Sequence, residues 1–384
     1  MRPRRPRTRG ALAALAGTLL ALSAGQTAVA ARAAATTPAP STAATVSAAQ
    51  DQAARAIARS LTDSTWRARL RHAALTSGEV PVTALADRSA GPLKTKLAAA
   101  DHRIATAKGL DATTGSLLRL RLGADAMRGA LTSGTAPWVA AATSDDGTRT
   151  LVAYDRDGRS HTLDAHDAPA HPVYLIDIDG SAALAAGLDV LSGRLNSYGI
   201  GSAAPNAQPR VDTASGARTA GVGFWTSRIT AVELSDDEEP WAKGDAEIYT
   251  LVTGFGPDGA VRVDPVDMPY LDNDGTVYRP NQILVNWSNY KYDLADAVMM
   301  EEDGSTNYRD LAKAIATALL TITDQGAYVP LVNAVLDAIP DDWWTDDPDY
   351  VDSWYTLARS DNGTRYGARG NGWMTVEPYF VQEL

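Results

Sequence analysis

The spacing of apolar residues along this chain of 384 residues changes from a helical to a strand-like period. In the stretch Asp51–Leu75, apolar side chains recur at helical spacing, at Ala54, Ile57, Ala58, Leu61 and Leu70. The stretch Pro92–Leu131 continues this period, with a break near Lys108 and Gly109. We therefore predict a helical region over residues 51–135.

Beyond residue 135, apolar residues occur in short runs separated by turn residues, which is typical of β-strands. We predict a helix at Ser181–Leu195. The predicted strands before it are Trp138–Thr143, Thr150–Tyr154, Ser160–Leu163 and Pro172–Ile176. These elements form a small α+β unit over residues 136–200. Residues 201–222, which are rich in Ala, Gly, Ser and Pro, are predicted to be a linker.

Residues 223–384 are predicted to form an antiparallel β-sandwich with acidic loops. Seven of the nine tryptophans lie beyond residue 220, and tryptophan is enriched in strands. The strand candidates are Arg228–Leu234, Ala246–Gly254, Ala260–Val263, Gln282–Trp287, Ala297–Met300 and Gly372–Val381. Asn307–Ile322 is predicted to be a helix, and Leu331–Ile339 a short helix or a buried strand. The fold class predicted for the whole chain is α+β.

The first 30 residues have the pattern of a secretory signal peptide. Five arginines within residues 2–9 precede an apolar run, Ala11–Leu22, and small residues follow up to Ala30. The run has 12 residues, whereas a membrane-spanning helix needs about 20. We expect cleavage after Ala30, a disordered linker over residues 31–50, secretion to the extracellular space and no transmembrane segment in the mature chain.

Composition and charge narrow the classes of partner. The chain has no cysteine, so no disulfide can stabilise it in an oxidising compartment. From Ile229 to Leu384 there are 29 acidic and 9 basic residues, and a region this acidic is a poor match for nucleic acid. Divalent cations or basic surfaces are better candidates, and the alternative is a solvated acidic face.

Acidic residues gather in loops next to the predicted strands. Calcium takes six to eight oxygen ligands and tolerates irregular geometry, and a cation would relieve the repulsion between crowded carboxylates. The predicted calcium ligands are Asp236, Asp237, Asp245, Glu301, Glu302, Asp303 and Asn307, with Asp272 and Asp274 as a possible second metal loop. The alternative is that each loop is a solvated acidic turn.

The two acidic segments Asp245–Tyr249 and Glu301–Asp303 resemble, loosely, the first and third loops of calcium-dependent lipid-binding sandwich domains of the protein kinase C conserved-region-two type. The family's proline is absent from the first segment, and Glu replaces the usual Asp in the second. The resemblance implies calcium as a cofactor and does not imply lipid binding.

Longer segments resemble a secreted bacterial family, domain-of-unknown-function family 3103. They are residues 100–112, 234–254, 266–275, 279–287 and 301–308, so the resemblance extends over most of the mature chain. The resemblance implies an exported protein and names no activity.

A further candidate for chemistry is Val173–Gly180, an apolar strand that ends in Asp177 and Asp179 before a helix. It resembles the nucleophile motif of haloacid-dehalogenase-type phosphatases, in which one Asp attacks phosphorus and the other is the general acid, with magnesium. Ser181-Ala182 departs from that motif. The alternative is an ordinary strand, an Asp-Gly turn and a helix start. With no Cys and no G-x-S-x-G segment, the sequence offers no nucleophilic hydrolase motif.

Two other groups of residues could bind a ligand. His161, His166 and His171 recur every five residues, which fits neither a helix face nor a strand face for zinc, so we expect solvent-facing residues of a hairpin and loop. Trp343 and Trp344 are candidate ligand-binding residues, because aromatic side chains can stack on sugars or anchor a protein partner. Packing beneath the sheet is the alternative, and it is predicted for Trp354.

The leading hypothesis is an exported, calcium-stabilised binding module for an extracellular or envelope surface, whether glycan, lipid or protein. The rival hypothesis is a secreted hydrolase that uses paired carboxylates or a metal-bound water, with Asp237, Asp245 and Asp303 as the first candidates. A third is a structural envelope protein without a small ligand. The sequence leaves the choice between them open.

Overall fold

The computed structural model of the chain describes residues 40–86, 91–143, 148–204, 223–235, 241–242, 247–302, 304, 306–339 and 350–382. The predicted signal peptide lies outside the described residues. Pro40–Leu384 form one compact unit. No described helix is long and apolar enough to cross a membrane.

The described helices are concentrated in the first half of the chain. They are α1 (Thr42–Ser60), α2 (Ser64–Thr76), α3 (Val82–Ala86), α4 (Pro92–Ala107), α5 (Arg128–Thr132), α6 (Gly180–Ser197), α7 (Tyr308–Leu319) and α8 (Val332–Leu336).

The described strands increase in number toward the C-terminus. They are β1 (Glu79–Pro81), β2 (Leu118–Leu122), β3 (Trp138–Ala141), β4 (Thr150–Tyr154), β5 (Ser160–Asp164), β6 (Val173–Ile178), β7 (Gly223–Leu234), β8 (Ile248–Phe255), β9 (Val261–Asp267), β10 (Gln282–Asn286), β11 (Leu294–Glu301), β12 (Tyr350–Ala358), β13 (Gly363–Tyr366) and β14 (Gly372–Gln382). This distribution confirms the predicted α+β class.

The described strands form three sheets. The first has the order β1-β2-β6-β3-β4-β5, in which β3 and β6 are parallel and the other neighbours are antiparallel. Two antiparallel sheets follow, β12-β11-β8-β9 and β10-β7-β14-β13. They share one apolar core, which includes Ile229, Val252, Met299, Trp354 and Met374. Trp354 is 3% exposed, which confirms the packing predicted for it.

A second apolar core joins both halves of the chain. It contains residues of α1, α4 and α6 together with residues of β8, β11 and α7. The first sheet likewise combines β1 and β2 with the four strands that follow them. The predicted boundary at residue 136 therefore falls within one sheet, because strands distant in sequence pair with each other there.

Glu79–Pro81, within the region predicted to be helical, is the strand β1, and two further segments differ from the sequence prediction for a clear physical reason. Leu118–Leu122 was predicted to be helical and is a strand, because Leu118 and Leu120 are buried and alternate with two arginines, which is the period of a strand. Thr42–Gln50 was predicted to be disordered and begins α1, where the Ser41 hydroxyl caps the helix by accepting from Ala44 N–H at 3.2 Å. In the predicted linker over residues 201–222, the described part ends at residue 204.

The contact between α6 and α7 allows a stability prediction. A Cβ at Gly187 of α6 would lie 2.1 Å from the Tyr308 ring of α7. We expect Gly187→Ala to lower the free energy of unfolding by about 1–3 kcal/mol because it overpacks this contact. Gly193 of the same helix has open space at its Cβ position, so Gly193→Ala should raise stability by about 0.4–1 kcal/mol. Urea unfolding of both variants measures the difference, and equal effects would contradict the packing argument.

Candidate functional site

Several of the predicted site residues lie in segments that the structure does not describe. These are the calcium-ligand candidates Asp236, Asp237, Asp245 and Asp303 and the ligand-binding candidates Trp343 and Trp344.

Two of the acidic segments come together. Ile248, the first residue of β8, lies opposite Glu301, the last residue of β11, on neighbouring antiparallel strands. The Glu302 N–H then donates to the carbonyl of Glu247 at 2.9 Å. The acidic segment before β8 and the one after β11 are therefore neighbours.

The other two acidic loops begin beside each other on the opposite sheet. Leu234 ends β7, and its carbonyl accepts from Gly275 N–H at 2.8 Å. Gly275 closes the turn that contains Asp272 and Asp274, whereas β7 leads into residues 236–239. The connection between β7 and β8 therefore begins on one sheet, beside the Asp272–Gly275 turn, and ends on the other, beside the segment after β11.

Glu302 is buried among hydrogen-bond donors of the protein. Its carboxylate forms an ion pair with Lys108 and accepts from the Tyr308 hydroxyl. Its Oε1 also accepts from the Gly304 N–H at 2.8 Å. Lys108 and Tyr308 have no exposed surface, and Glu302 is 4% exposed. Groups of the chain itself therefore satisfy this carboxylate.

Asn307 also has a structural role. Its Oδ1 accepts from the N–H groups of Arg309 and Asp310, both at 3.1 Å, and so caps α7. Its Nδ2 donates to the carbonyl of Ala107 at 2.8 Å, which ties α7 to the end of α4. Asn307 and Glu302 thus have structural contacts where the sequence predicted metal ligands, because helix capping and ion pairing use the oxygens that a cation would need.

In the part of the chain that the structure describes, no three His, Asp or Glu side chains are grouped so that they could hold a metal ion. The described residues do not by themselves provide a calcium site. The calcium prediction therefore depends on Asp236, Asp237, Asp245 and Asp303, and it stays a prediction.

Glu247 is an unusual carboxyl group that the sequence analysis did not single out. Burial, together with the nearby carboxyls of Glu302 and Asp177, raises its pKa to about 9. Gly180, at the start of α6, makes this position possible, since a Cβ there would lie 2.1 Å from the Glu247 carboxyl carbon. Glu247 is therefore protonated at neutral pH. The feature of the sequence that could have indicated this site is an acidic residue at the start of a buried strand.

The two aspartates of the phosphatase-like motif have basic partners. Asp177 pairs with Arg121 at 3.0 Å, and Asp179 pairs with Arg119. Asp179 also caps α6, because its Oδ1 accepts from the Ala182 N–H at 2.9 Å. The motif is thus a strand, a turn and a capped helix, which favours the alternative stated for it.

Two of the three candidate zinc histidines contact an aromatic ring. The rings of His161 and His171 stack on the ring of Trp138, with centroid distances of 4.0 and 3.9 Å. His161 Nε2 also lies 3.2 Å from Asp155 Oδ2. These histidines are half-buried packing partners of Trp138, whereas the sequence predicted solvent-facing residues.

The possible second metal loop instead supports the wall of a cavity. Asp272 Oδ1 accepts from the Tyr278 hydroxyl at 2.7 Å and from Asn273 Nδ2 at 2.9 Å. The Tyr278 ring lies 5.9 Å from that of Tyr270, with the two planes tilted by 48°. Asp272 therefore orients one ring of an aromatic pair.

A cavity of about 520 Å³ lies beside this aromatic pair, between the ends of β9 and β10. We call it the Tyr270–Tyr278 cavity, and its lining residues are Asp267, Pro269, Tyr270, Tyr278, Arg279, Pro280 and Gln282. Pattern reasoning missed it, because its residues come from a strand end, an irregular loop and the start of the next strand.

Hydrogen bonds fix much of the cavity lining. The Tyr270 hydroxyl donates to Gln282 Oε1 at 2.5 Å, and Gln282 Nε2 donates to the Asp267 carbonyl at 2.7 Å. Asp267 Oδ1 is buried and accepts no hydrogen bond from the described residues. Burial raises the pKa of the Asp267 carboxyl. The lining thus combines two fixed aromatic rings with a carboxyl group that lacks its full set of donors.

The fold and these sites define a mixed α+β protein with a C-terminal sandwich, a buried polar network between its two halves, and a small cavity. The chain belongs to the family of proteins of unknown function DUF3103, whose model matches residues 50–384. This membership confirms the family resemblance seen in the sequence. No curated protein and no solved structure matches the chain.

Proposed function

We propose that this protein is an exported binding module that holds part of a glycan in the Tyr270–Tyr278 cavity. The observation that carries the proposal is the lining, in which two tyrosines stand beside an acidic and a basic side chain. The volume of about 520 Å³ lies within the range of about 300–1,000 Å³ that is typical of small-molecule sites.

The chemistry of the lining matches the two kinds of surface that a sugar presents. Aromatic rings supply large, stiff apolar contact area for the C–H face of a sugar ring. Charged side chains form stronger hydrogen bonds than neutral ones and suit the hydroxyl groups. Asp267 and Arg279 line the same cavity. The lining therefore offers a carboxyl group and a guanidinium group to a hydroxyl-rich ligand.

The cavity is also organised before a ligand binds. Gln282 joins the Tyr270 hydroxyl to the backbone of Asp267, and Asp272 holds the Tyr278 hydroxyl. Because the rings are already fixed, binding would lose little side-chain entropy. The acidic turn that the sequence offered as a metal loop thus contributes to the proposed site by positioning Tyr278.

Glycan binding should depend on Tyr270. We expect the purified mature protein to bind a subset of envelope and extracellular oligosaccharides on an array, and Tyr270→Ala to weaken binding of the best oligosaccharide at least about tenfold by calorimetry, as for an aromatic hot spot. Tyr366 is 77% exposed on β13, away from the cavity lining, so Tyr366→Ala is the matched control. No binding by the wild type, or equal losses in both variants, would refute the proposal.

Export is supported by the sequence pattern of residues 1–30, and calcium by the acidic segments that meet where β8 begins and β11 ends. If calcium binds there, adding it should raise the melting temperature of the mature protein, because a ligand that binds only the folded state stabilises it. Asp303→Ala should abolish the rise. Asp125→Ala, an exposed acid elsewhere, should leave it intact. An unchanged melting temperature with calcium and with chelator would remove calcium from the proposal.

A hydrolase is the second candidate function, and the protonated Glu247 is the observation that favours it. A carboxyl group that keeps its proton at neutral pH can act as a general acid beside an ionised neighbour. Asp177 and Glu302 are the nearby carboxyls that influence Glu247. Turnover in a panel of glycoside and ester substrates that disappears in Glu247→Gln would establish this function in place of simple binding.

A further inference from the structure

The contact between Lys108 and Glu302 joins two distant parts of the chain inside the protein. Lys108 follows α4, and Glu302 follows β11. The exposed fraction of the Lys108 side chain is 0%, and that of the Glu302 side chain is 2%. The backbone next to the pair is fixed as well, since the Tyr308 N–H donates to the Lys108 carbonyl at 3.1 Å. An amine and a carboxyl group are thus held together in a dry, ordered place.

We propose that Lys108 and Glu302 condense in the folded protein to form an intramolecular amide bond between Nζ and Cδ. Burying an ion pair removes both charges from water, and this desolvation cost offsets much of the attraction between them. An amide at the same place carries no net charge, so its formation removes that cost. The inference is independent of the proposed glycan site.

The reaction balances with the groups already present. One ammonium proton passes along the ion-pair contact to a carboxylate oxygen, which leaves a neutral amine and a neutral carboxylic acid. The amine nitrogen of Lys108 attacks the carboxyl carbon of Glu302 and forms the C–N bond. The C–OH bond then breaks, and the hydroxyl group leaves with a proton from the nitrogen as water. Neither an oxidant nor a reductant takes part.

The surroundings of Glu302 favour this step. The Tyr308 hydroxyl and the Gly304 N–H both donate to the carboxyl oxygens, so they can stabilise the negative charge that develops on oxygen during the attack. The fixed contact supplies the proximity that raises effective molarity to about 10⁵–10⁸ M in well-oriented reactions. Exclusion of bulk water protects the amide from hydrolysis.

An amide here would give the chain a covalent cross-link that it cannot obtain from cysteine, which is absent. The bond would join the helical half at residue 108 to the sandwich at residue 302. Cross-links that close long loops restrict the unfolded chain most, in the loop-entropy account of their effect. Such a link is useful to a protein that works outside the cell, where thiol chemistry is the usual alternative.

Peptide mapping of the purified, folded, full-length protein tests the proposal. Trypsin cannot cleave after an acylated lysine, so the amide predicts one branched peptide that joins Ile104–Arg119 to Tyr292–Arg309. Its mass should equal the sum of the two linear peptides minus one water. Fragmentation should place the branch at Lys108 and Glu302.

Lys108→Arg is the matched control. It keeps a cation beside Glu302, but its guanidinium group stays protonated and does not attack the carboxyl carbon at neutral pH. This variant should yield only linear peptides. If the variant fails to fold, the wild-type map still decides the matter. A wild-type protein that unfolds cooperatively and gives only linear peptides, with cleavage after Lys108, overturns the proposal.

Discussion

Replacing Lys108 with methionine is expected to lower the free energy of unfolding by about 3–5 kcal/mol. Methionine preserves most of the length of the side chain, but Glu302 loses the partner that lies beside it at 0% exposure. A buried carboxylate without a counter-charge is far more costly than a missing surface contact. Urea unfolding at pH 7 measures the loss, and the sign is the same whether the wild-type contact is ionic or covalent.

Arg55→Met provides the comparison for an exposed pair. Arg55 lies 2.8 Å from Asp51 on α1, and its side chain is 53% exposed. Exposed ion pairs contribute about 0–1 kcal/mol, because solvent screens them. If Lys108→Met costs no more than Arg55→Met, the network around Glu302 does not hold the two halves of the protein together.

Glu247→Gln is expected to stabilise the protein at pH 7 by about 3 kcal/mol, since each pH unit between two pKa values is worth about 1.4 kcal/mol. The pKa of Glu247 is raised from 4.5 to about 9. The folded protein therefore keeps a proton that the unfolded chain loses above pH 4.5, and the wild type loses stability as the pH rises from there to about 9. Glutamine has the shape of the protonated form and does not titrate.

The pH profile of this effect is the discriminating measurement. In the presence of a chelator, the difference between Glu247→Gln and wild type should be small at pH 4 and should grow up to about pH 9. Glu377→Gln, which removes a half-exposed ion pair with Arg228, should change stability by less than about 1 kcal/mol. A Glu247→Gln difference that does not vary with pH would contradict the assigned burial of the carboxyl group.

Local patterns predicted many elements well because the information they need lies within a few residues. Thr150–Tyr154 was predicted as a strand with the bounds it has as β4, since turn residues flank a short apolar run. Leu118–Leu122 was misassigned, although its Leu-Arg alternation has the strand period. The flanking residues have a helical pattern, and it is pairing with β1 and β6 that fixes the strand.

The candidate sites show the same limit more strongly. The sequence identified acidic segments next to strands and could not tell which of their side chains already have partners. Glu302 pairs with a lysine 194 residues away in the chain, and Asn307 caps its own helix. The Tyr270–Tyr278 cavity was not predicted at all, because a cavity is defined by the walls that several segments form together.

The sequence by itself determined the family, the α+β class, the acidic character of the C-terminal half and the expectation of export, because composition and periodicity are properties of neighbouring residues. Only the tertiary structure decided which carboxyl groups are buried. Glu247 keeps its proton because Gly180, Asp177 and Glu302 are folded against it. The energy of a charge depends on the solvent and charges around it in space, and these are set by contacts between residues far apart in the chain.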